Sequence, residues 1–197
     1  MAMTINNKNI FAAFNEVCSA VSQQLATNVL LEKIMTSAQS MTNADGASLY
    51  IKHGEALRFY IVSNHSLKME MTAGSASIKT LPEIPLNPQN NQHISIASHC
   101  ATNKQTINIE DISHEQSIDI APTKAFDAKF NYKTKSILAT PILDSHQAIL
   151  GVVQLINSKN TNQAFDESDI EACEAMAALV SIVLSHNNSA DAGVAHE

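Results

Sequence analysis

Histidine is the residue type that first suggests a metal site, and the chain has eight histidines. The three in the middle of the chain, His93, His99 and His114, follow no HExxH pattern and no other paired ligand spacing. The sequence therefore predicts no metal site.

Cysteine is the residue type that could supply a nucleophile or a disulfide. Cys18, Cys100 and Cys173 are odd in number, far apart and in no CxxC arrangement, which argues against a disulfide framework or a structural zinc site. We expect them to be buried thiols, because cysteine is among the most buried residue types. No Ser-His-Asp arrangement or glycine-rich phosphate motif is present either. We predict that the protein is not an enzyme.

Gln154 is the polar residue whose position is hardest to explain without a partner. Residues 132–157 contain two apolar runs around the polar tetrapeptide 144–147, which predicts a hairpin. Strand alternation points Ile149, Val153 and Leu155 to one face and Leu150, Val152, Gln154 and Ile156 to the other. An unpaired buried amide would cost about 1–3 kcal/mol. Gln154 therefore needs a hydrogen-bond partner, which is either protein or ligand.

The elements that would hold this hairpin follow from apolar periodicity and turn residues. Helical spacing occurs near both ends and at two places in the middle, and it predicts helices over residues 9–25, 28–42, 95–104, 122–130 and 166–187. Extended apolar runs predict the other strands at residues 47–52, 56–63 and 105–111. Residues 63–94 carry turn signals and prolines, which indicate an excursion over one face of the sheet.

This order of elements predicts an α+β fold. Its centre is an antiparallel sheet, with the terminal helices on one face and a pocket under the excursion on the other. A sheet covered on both faces explains why the hairpin strands alternate poorly. We predict an N-terminal extension over residues 1–9, one domain over residues 10–187 and a flexible C-terminal tail over residues 188–197.

Composition and charge exclude several classes of partner. The net charge is −7, and Arg58 is the one arginine, so no basic cluster is available for nucleic acid. No run of about 20 apolar residues could span a bilayer. The N-terminal residues lack the pattern of a signal peptide. We expect a cytoplasmic protein that binds neither nucleic acid nor membrane.

Several strings in this order resemble a GAF domain, a PAS-related ligand-binding module. It occurs in cyclic-nucleotide phosphodiesterases, some adenylate cyclases and many bacterial signalling proteins. The strings are "YKTKSILATPI" joined to "LGVVQLIN", "SIASHCATNKQTINIED", and "DGASLYI" followed by "LRFYIVSNHSL". "LPEIPLN" is similar to the segment found in bacterial GAF domains that precede HD-GYP domains. The resemblance covers about residues 10–187.

A signature of cyclic-nucleotide GAF domains is present in degenerate form. Asn157, Lys159, Phe165 and Asp169 approximate it, but Ser158 separates the first two residues and Ile170 stands where the family has Glu. In the family the Lys-Asp pair lies outside the pocket and holds the loop before the last helix. The resemblance implies that Lys159 and Asp169 could form that pair.

The resemblance also implies which residues would read a base. Ser48 stands where the family has a base-contacting serine, although it could instead bond a neighbouring strand. Ser63 and Asn64 stand where the family has an aromatic that stacks on the base and an acid that bonds to it. Gln154 occupies the position of an inward polar residue, often Glu or Gln.

The remaining pocket residues implied by the resemblance lie near a phosphate or form the last wall. Ile96 and Ala97 begin a helix whose free N–H groups suit a phosphate. Asp127 and Thr134 flank the last wall, although Asp127 could cap a turn and Thr134 could simply favour a strand. Phe130 stands where the family often has a hydroxyl residue.

Two functions from different classes follow. The first is a regulatory sensor that binds a cyclic nucleotide (cAMP or cGMP) or a similar purine-like anion, with no other cofactor. The second is a dimerisation module with a degenerate, non-binding pocket. Either would form a homodimer through the helices at residues 8–25 and 166–187 and signal to another protein or domain. The pair His99-Cys100 also suggests a bilin or haem site, but the family order of residues around bilin cysteines is different. A few GAF domains reduce methionine sulfoxide, and the three cysteines here do not match their spacing.

Overall fold

The computed structural model describes most of the chain. It describes residues 11–12, 14–16, 18–19, 23, 25–87, 94–116 and 118–193, with side chains in the last helix described as far as residue 186. Four helices are described in full, namely α1 (Thr27–Met41), α2 (Ile96–Asn103), α3 (Ala121–Phe130) and α4 (Glu167–Gly193). The strands are β1 (Ala44–His53), β2 (Ala56–Asn64), β3 (Met69–Thr72), β4 (Ile84–Pro85), β5 (Ile107–Ile109), β6 (Ile137–Leu143) and β7 (Ile149–Ser158).

The strands form one seven-stranded sheet with the order β3-β2-β1-β7-β6-β5, and β4 pairs with β2. Every pairing is antiparallel. The last strand in the chain, β7, lies at the centre between β1 and β6. The predicted α+β class and antiparallel sheet are confirmed.

One face of the sheet carries α1 and α4, which pack on it in a closed apolar core. Leu31 and Ile34 of α1 and Met176 and Val180 of α4 are each no more than 1% exposed. They pack with the sheet residues of the same cluster, among them Leu155. The predicted placement of both helices on one face is therefore observed.

The opposite face carries a second, smaller core under α2. Its buried members include Tyr50, Leu57, Ile96, Cys100 and Val152. The hydroxyl of Ser95 caps α2 by accepting from the Ser98 N–H at 3.2 Å, as the sequence predicted. The third helix, α3, has Pro122 in its first turn, also as predicted, and buries no residue fully.

A bulge in β7 overturns the predicted directions of Ile149 and Leu150. Leu143 pairs with Ile149 and Ile142 pairs with Gly151, so Leu150 is an extra residue without a partner. Leu150 packs on the helix-covered core and Ile149 on the opposite one, the reverse of simple alternation. The directions predicted for Val152, Val153 and Leu155 agree with the two cores.

Gly151 follows the bulge at the closest approach of β1 and β7. A Cβ built there would lie 2.1 Å from the Tyr50 carbonyl oxygen, which no side chain tolerates. Only glycine therefore fits at this crossing.

The chain termini differ from the predictions in two respects. Residues 11–12, 14–16 and 18–19 are helical, but Phe11 is 68% exposed and Cys18 is exposed, because this segment lies outside both cores. The rest of the helix predicted at residues 9–25 lies outside the described residues. The last helix continues to Gly193, past the predicted boundary at residue 187, since no glycine or proline interrupts it earlier. The predicted limits of the domain stay predictions.

Candidate ligand site

A cavity of about 450 Å³ lies between the sheet and the segments that cover it. The floor comes from β1, β2, β6 and β7. The cover comes from α3, from the start of α2 and from the segment around β4. Its wall residues are Ser48, Tyr50, Phe59, Val62, Ser63, Asn64, Met69, Leu81, Pro82, Glu83, Ile84, Pro85, Ser95, Ile96, Ala97, Ser98, Pro122, Thr123, Ala125, Phe126, Lys129, Phe130, Thr134, Ile137, Gln154 and Ile156. Its volume falls within the usual range for small-molecule sites, about 300–1,000 Å³.

Aromatic side chains form much of this wall. Tyr50 and Phe59 lie in neighbouring strands with ring centroids 4.6 Å apart, and Phe126 and Phe130 lie one turn apart on α3 at the same distance. Sequence reasoning found Phe130 and missed the other three. The signal for Phe126 was its position four residues before Phe130, which places both on one face of a helix.

Tyr50 contributes a polar atom that stays neutral. Burial raises the pKa of its phenol well above the ordinary value, although a hydrogen bond with Ser48 acts in the opposite direction. The hydroxyl of Ser48, which the resemblance implied as a base contact, is therefore already hydrogen-bonded to Tyr50. Both hydroxyls keep a lone pair that a ligand could use.

Gln154 lies in the floor of the cavity. It is 8% exposed and sits in β7 between Ser48 of β1 and Ala139 of β6. Its side-chain amide forms no hydrogen bond with the residues that the structure describes, and Gln154 belongs to the cavity wall. The sequence left open whether Gln154 bonds to the protein or to a ligand, and the described part of the protein supplies no partner. The amide offers both a donor and an acceptor to a ligand.

The first turn of α2 brings backbone donors to the same cavity. The Ser95 hydroxyl accepts a hydrogen bond from the Ser98 N–H. The Ser98 hydroxyl donates to the Pro85 carbonyl at 2.7 Å, which connects α2 to β4. The N–H groups of Ile96 and Ala97 have no partner among the described residues, as expected for the first turn of a helix. The positive end of the helix dipole adds to these donors.

Thr134 belongs to the wall, and Asp127 does not. Both carboxylate oxygens of Asp127 accept from Thr134, one from its N–H and one from its hydroxyl, each at 2.8 Å. Asp127 therefore joins α3 to the start of β6 and holds Thr134 in place. Asp127 thus stands behind the wall, and its predicted contact with a ligand stays a prediction.

The two residues expected to read a base are already engaged elsewhere. The Asn64 carbonyl accepts from the Leu67 N–H at 2.9 Å, and its side chain also hydrogen-bonds Tyr132. The Ser63 hydroxyl donates to Gln39 of α1 at 3.0 Å, on the helix-covered face of the sheet. Both residues lie in the wall, but Ser63 directs its side chain away from the cavity because neighbouring strand residues alternate.

Asp45 is the centre of a polar network beside the cavity, and the sequence did not indicate it. Its carboxylate is 3% exposed and accepts from the Tyr132 hydroxyl at 2.7 Å and from Ser66 at 2.8 Å. Lys159 forms an ion pair with it at 2.7 Å. Burial alone would raise the pKa of Asp45, but hydrogen bonds from Lys159, Tyr132 and Ser66 and the Lys159 charge hold it below its usual value.

This network overturns the expected Lys159-Asp169 pair. The Lys159 N–H donates to the Asn43 carbonyl at 2.9 Å, which places the lysine beside the start of β1 and within reach of Asp45. Asp169 instead accepts from the Asn160 amide at 3.2 Å and from the Asp166 N–H at 3.1 Å. Burial raises the pKa of Asp169 to about 6.

Asn157 holds the loop that leads into β6. Its carbonyl accepts from the Lys135 N–H at 2.6 Å and more weakly from the Ser136 N–H at 3.3 Å. Its amide donates to the Lys133 carbonyl at 2.8 Å and to the Tyr132 hydroxyl at 3.0 Å. Its backbone is left-handed, with φ of 55°. The residue fixes Tyr132 and with it the end of α3.

Phe165, the fourth residue of the signature, lies in the helix-covered core at 2% exposure. Its carbonyl accepts from the Asn108 amide at 3.0 Å, which connects the loop before α4 to β5. The four signature residues therefore lie outside the cavity wall, which is where the resemblance placed Lys159 and Asp169.

The described residues contain no group of three or more His, Cys, Asp or Glu side chains placed to hold a metal ion. Cys100 is 0% exposed, and burial raises the pKa of its thiol, which disfavours the reactive thiolate. Burial likewise raises the pKa of Cys173 to about 12.

In the part of the chain with described structure, no helix combines the length and apolarity needed to cross a bilayer.

Comparison with known proteins identifies the family. The family model described as GAF domain matches residues 27–184. The cGMP-specific 3',5'-cyclic phosphodiesterases of Drosophila melanogaster and Drosophila virilis are 32% identical over 165 residues and 33% identical over 159 residues, respectively. Both alignments cover 80% of this chain and 14% and 17% of the relatives, so the chain spans about a seventh of their length.

Solved structures show the same fold at low sequence identity. The GAF domain of a phosphoenolpyruvate-protein phosphotransferase from Acinetobacter is 13% identical, with a TM-score of 0.67 and coverage of 95% of this chain and 97% of that one. The free methionine-R-sulfoxide reductase from Neisseria meningitidis is 12% identical, with a TM-score of 0.61 and coverage of 92% and 91%. Because the family model matches residues 27–184, the chain belongs to the GAF domain family, a family of generally regulatory small-molecule-sensing domains.

Proposed function

We propose that this domain binds a small organic ligand in the cavity and acts as a regulatory sensor. The observation that carries the proposal is the amide of Gln154. It is buried in the floor of a 450 Å³ cavity and has no partner among the described residues. A ligand with a complementary polar group would give this amide the hydrogen bonds that otherwise only water in the cavity can supply.

The candidate ligand is a cyclic nucleotide or a similar purine-like anion. Similarity to cGMP-specific phosphodiesterases supports this class, as do the aromatic wall and the free N–H groups at the start of α2. The engagement of Asn64 and Ser63 argues that the base would be read by Gln154 and by the Ser48-Tyr50 pair instead.

Ligand binding would order the cover and change the position of the terminal helices. The cover contacts the polar network around Asp45 through Tyr132, and Lys159 of that network precedes α4. We propose that the output passes through α4 and the helix predicted at residues 8–25 to a second copy of the chain, and then to a downstream domain or protein, as in a bacterial signalling system.

A dimerisation module with a non-binding pocket is the second candidate. Ile182 on α4 is 56% exposed, which favours a covering partner on that side of the helix. An exposed Ile182 is equally compatible with a dimeric sensor, so a measurement of ligand binding decides between the sensor and the dimerisation module.

The deciding experiment is thermal unfolding with cAMP, cGMP and a panel of other small metabolites. A ligand at 100 times its dissociation constant adds about 2.7 kcal/mol, which raises Tm by about 5–10 °C in a domain of this size. Gln154→Leu should remove the shift and keep the fold, whereas Gln105→Leu, at an exposed position outside the wall, should keep it. A well-folded dimer that responds to no ligand would favour the dimerisation module.

A further inference from the structure

Tyr132 lies behind the cavity wall, at the end of the cover, and two wall residues contact it. Its ring meets the Phe126 ring edge-on, with the centroids 6.3 Å apart. Its hydroxyl forms a hydrogen bond with the side chain of Asn64, which is 4% exposed. A group in the cavity that displaces Phe126 or Asn64 therefore acts on Tyr132 directly.

The buried Asp45 carboxylate divides its two oxygens between separate segments of the chain. Oδ2 accepts from the Tyr132 hydroxyl at 2.7 Å. Oδ1 accepts from the Ser66 hydroxyl at 2.8 Å and pairs with the Lys159 ammonium group at 2.7 Å. Hydrogen bonds to an ionised carboxylate are roughly twice as strong as those between neutral groups. One charge therefore holds both the end of the cover and the segment after β7.

Lys159 begins the loop that connects β7 to α4. Its N–H donates to the Asn43 carbonyl at 2.9 Å, which fixes the loop beside the start of β1. The next residue, Asn160, donates its amide to the Asp169 carboxylate at 3.2 Å, in the first turn of α4. A change at the ion pair between Lys159 and Asp45 therefore reaches α4 through Asn160.

The cover depends on polar contacts because α3 is weakly packed. α3 buries none of its residues fully, whereas α1 on the other face buries a row of apolar side chains. The end of α3 is joined to the sheet by the bonds of Asp127 to Thr134 and by the bond of Tyr132 to Asp45. Elements with few buried contacts open at a low cost in free energy. The bond between Tyr132 and Asp45 therefore has a large share in keeping α3 closed.

We propose that Tyr132 is a latch that couples the opening of the cover to the loop before α4. In the latched state, which the structure shows, Tyr132 and Lys159 both hold Asp45. When the Tyr132 hydroxyl leaves Asp45, α3 opens, and the carboxylate, now held from one side, turns and loosens the loop at residues 160–166. Tyr132 is a positioning residue that acts through its neighbours. The inference goes beyond the proposed function, because the coupling belongs to the protein without a ligand.

The test measures backbone hydrogen exchange by mass spectrometry in the ligand-free protein, on peptides from α1, α3 and residues 160–166. Tyr132→Phe keeps the ring and removes the hydroxyl. Exchange should become about tenfold faster in α3 and about threefold faster at residues 160–166, with α1 unchanged. Tyr60→Phe removes the same group from a tyrosine that packs on the helix-covered core, and it is the matched control. It should leave exchange in α3 and at residues 160–166 as in the wild type.

The reciprocal variant starts from the other side of Asp45. The Lys159 side chain is 45% exposed, so Lys159→Met removes the ion pair and leaves the core intact. Because coupling between two sites is reciprocal, this variant should accelerate exchange in α3 by the same factor of about three. In the double variant with Tyr132→Phe, the acceleration in α3 should be smaller than the product of the two single effects.

Three results would overturn the latch. Faster exchange in α3 alone after Tyr132→Phe would make Tyr132 a local support of the cover. Equal acceleration in α1 would make it a residue of general stability. Unchanged exchange in α3 after Lys159→Met would show that Asp45 holds the two segments independently. Each measurement is made without a ligand, so a failure of the latch is distinguishable from a failure of the sensor, which the ligand panel decides.

Discussion

The two faces of the sheet differ in how their side chains are satisfied. On the helix-covered face, α1 and α4 close an apolar core in which Leu31 and Met176 are fully buried. On the opposite face, the wall of a 450 Å³ cavity includes the amide of Gln154, which has no partner among the described residues. The first face is closed by packed side chains, whereas the second leaves a cavity beside a smaller core. The two faces therefore differ in how much of their surface the protein itself fills.

The sharpest test of this division uses neighbouring residues in β7. Leu155 is fully buried on the helix-covered face, and Ile156 is half-buried in the cavity wall. Leu155→Ala should cost about 2–5 kcal/mol because it opens a void in a closed core. Ile156→Ala should cost about 1 kcal/mol, because its side chain already borders an open cavity. Urea unfolding measures both, and equal losses would contradict the division.

Asn157 tests whether the cavity cover is held from outside the cavity. Asn157→Ala removes the side-chain hydrogen bonds to the loop before β6 and places alanine, which tolerates left-handed backbone less well than asparagine, at φ of 55°, so we expect a loss of about 3 kcal/mol. Asn157→Gly loses the same bonds without the backbone strain and should cost about 1 kcal/mol less. Denaturant unfolding of both variants separates the bonds from the backbone. Indistinguishable losses would mean that the left-handed backbone contributes nothing.

Asp169 tests the polar end of the helix-covered face through its pH dependence. Its pKa in the folded protein is about 6, above the ordinary 3.8, because it is buried. A raised pKa means that its contribution to stability is full below about pH 4 and is lost as the pH rises through 6. Relative to the wild type, Asp169→Asn should therefore gain about 2 kcal/mol in unfolding free energy between pH 4 and pH 7.

Unfolding free energies at several pH values give this comparison directly. Glu171→Gln, at an exposed site on the same helix, is the control and should show no such trend. A constant difference between Asp169→Asn and the wild type across this range would show that Asp169 keeps an ordinary pKa.

The smallest expected effect is that of Gln154→Leu on the stability of the ligand-free domain. Replacing an unpaired amide in an apolar floor with a side chain of similar size should change the unfolding free energy by less than about 1 kcal/mol, and the change should favour the variant. Chemical denaturation without ligand is the measurement. A loss of several kcal/mol would mean that the amide has a structural partner after all.

The sequence predicted the elements well where local signals decide them. Ser95 at the start of α2, Pro122 in α3 and the hairpin of β6 and β7 were all found from short strings. The cavity floor at Gln154 was also found, because one polar residue in an apolar strand is visible without a structure.

The errors occurred where distant residues decide the outcome. The predicted first strand begins at residue 47, but β1 begins at Ala44 and includes Asp45, whose partner Tyr132 lies 87 residues away in sequence. The Asp45 carboxylate also forms the ion pair with Lys159 that the resemblance assigned to Asp169. The extra residue Leu150 reverses the faces of its neighbours, since a bulge is set by the pairing of two strands and not by the period of one.

The central place of β7 has a consequence for how the chain folds. The strands β1, β2 and β3 form one antiparallel unit and β5 and β6 another, and β7 joins the two. Because β1 and β7 are about 100 residues apart in sequence, their pairing requires the closure of a long loop. Glycine is required where β7 passes the Tyr50 carbonyl, since a Cβ at position 151 would lie 2.1 Å from that oxygen. The pairing that completes the sheet is therefore a long-range one, unlike the local hairpin of β6 and β7.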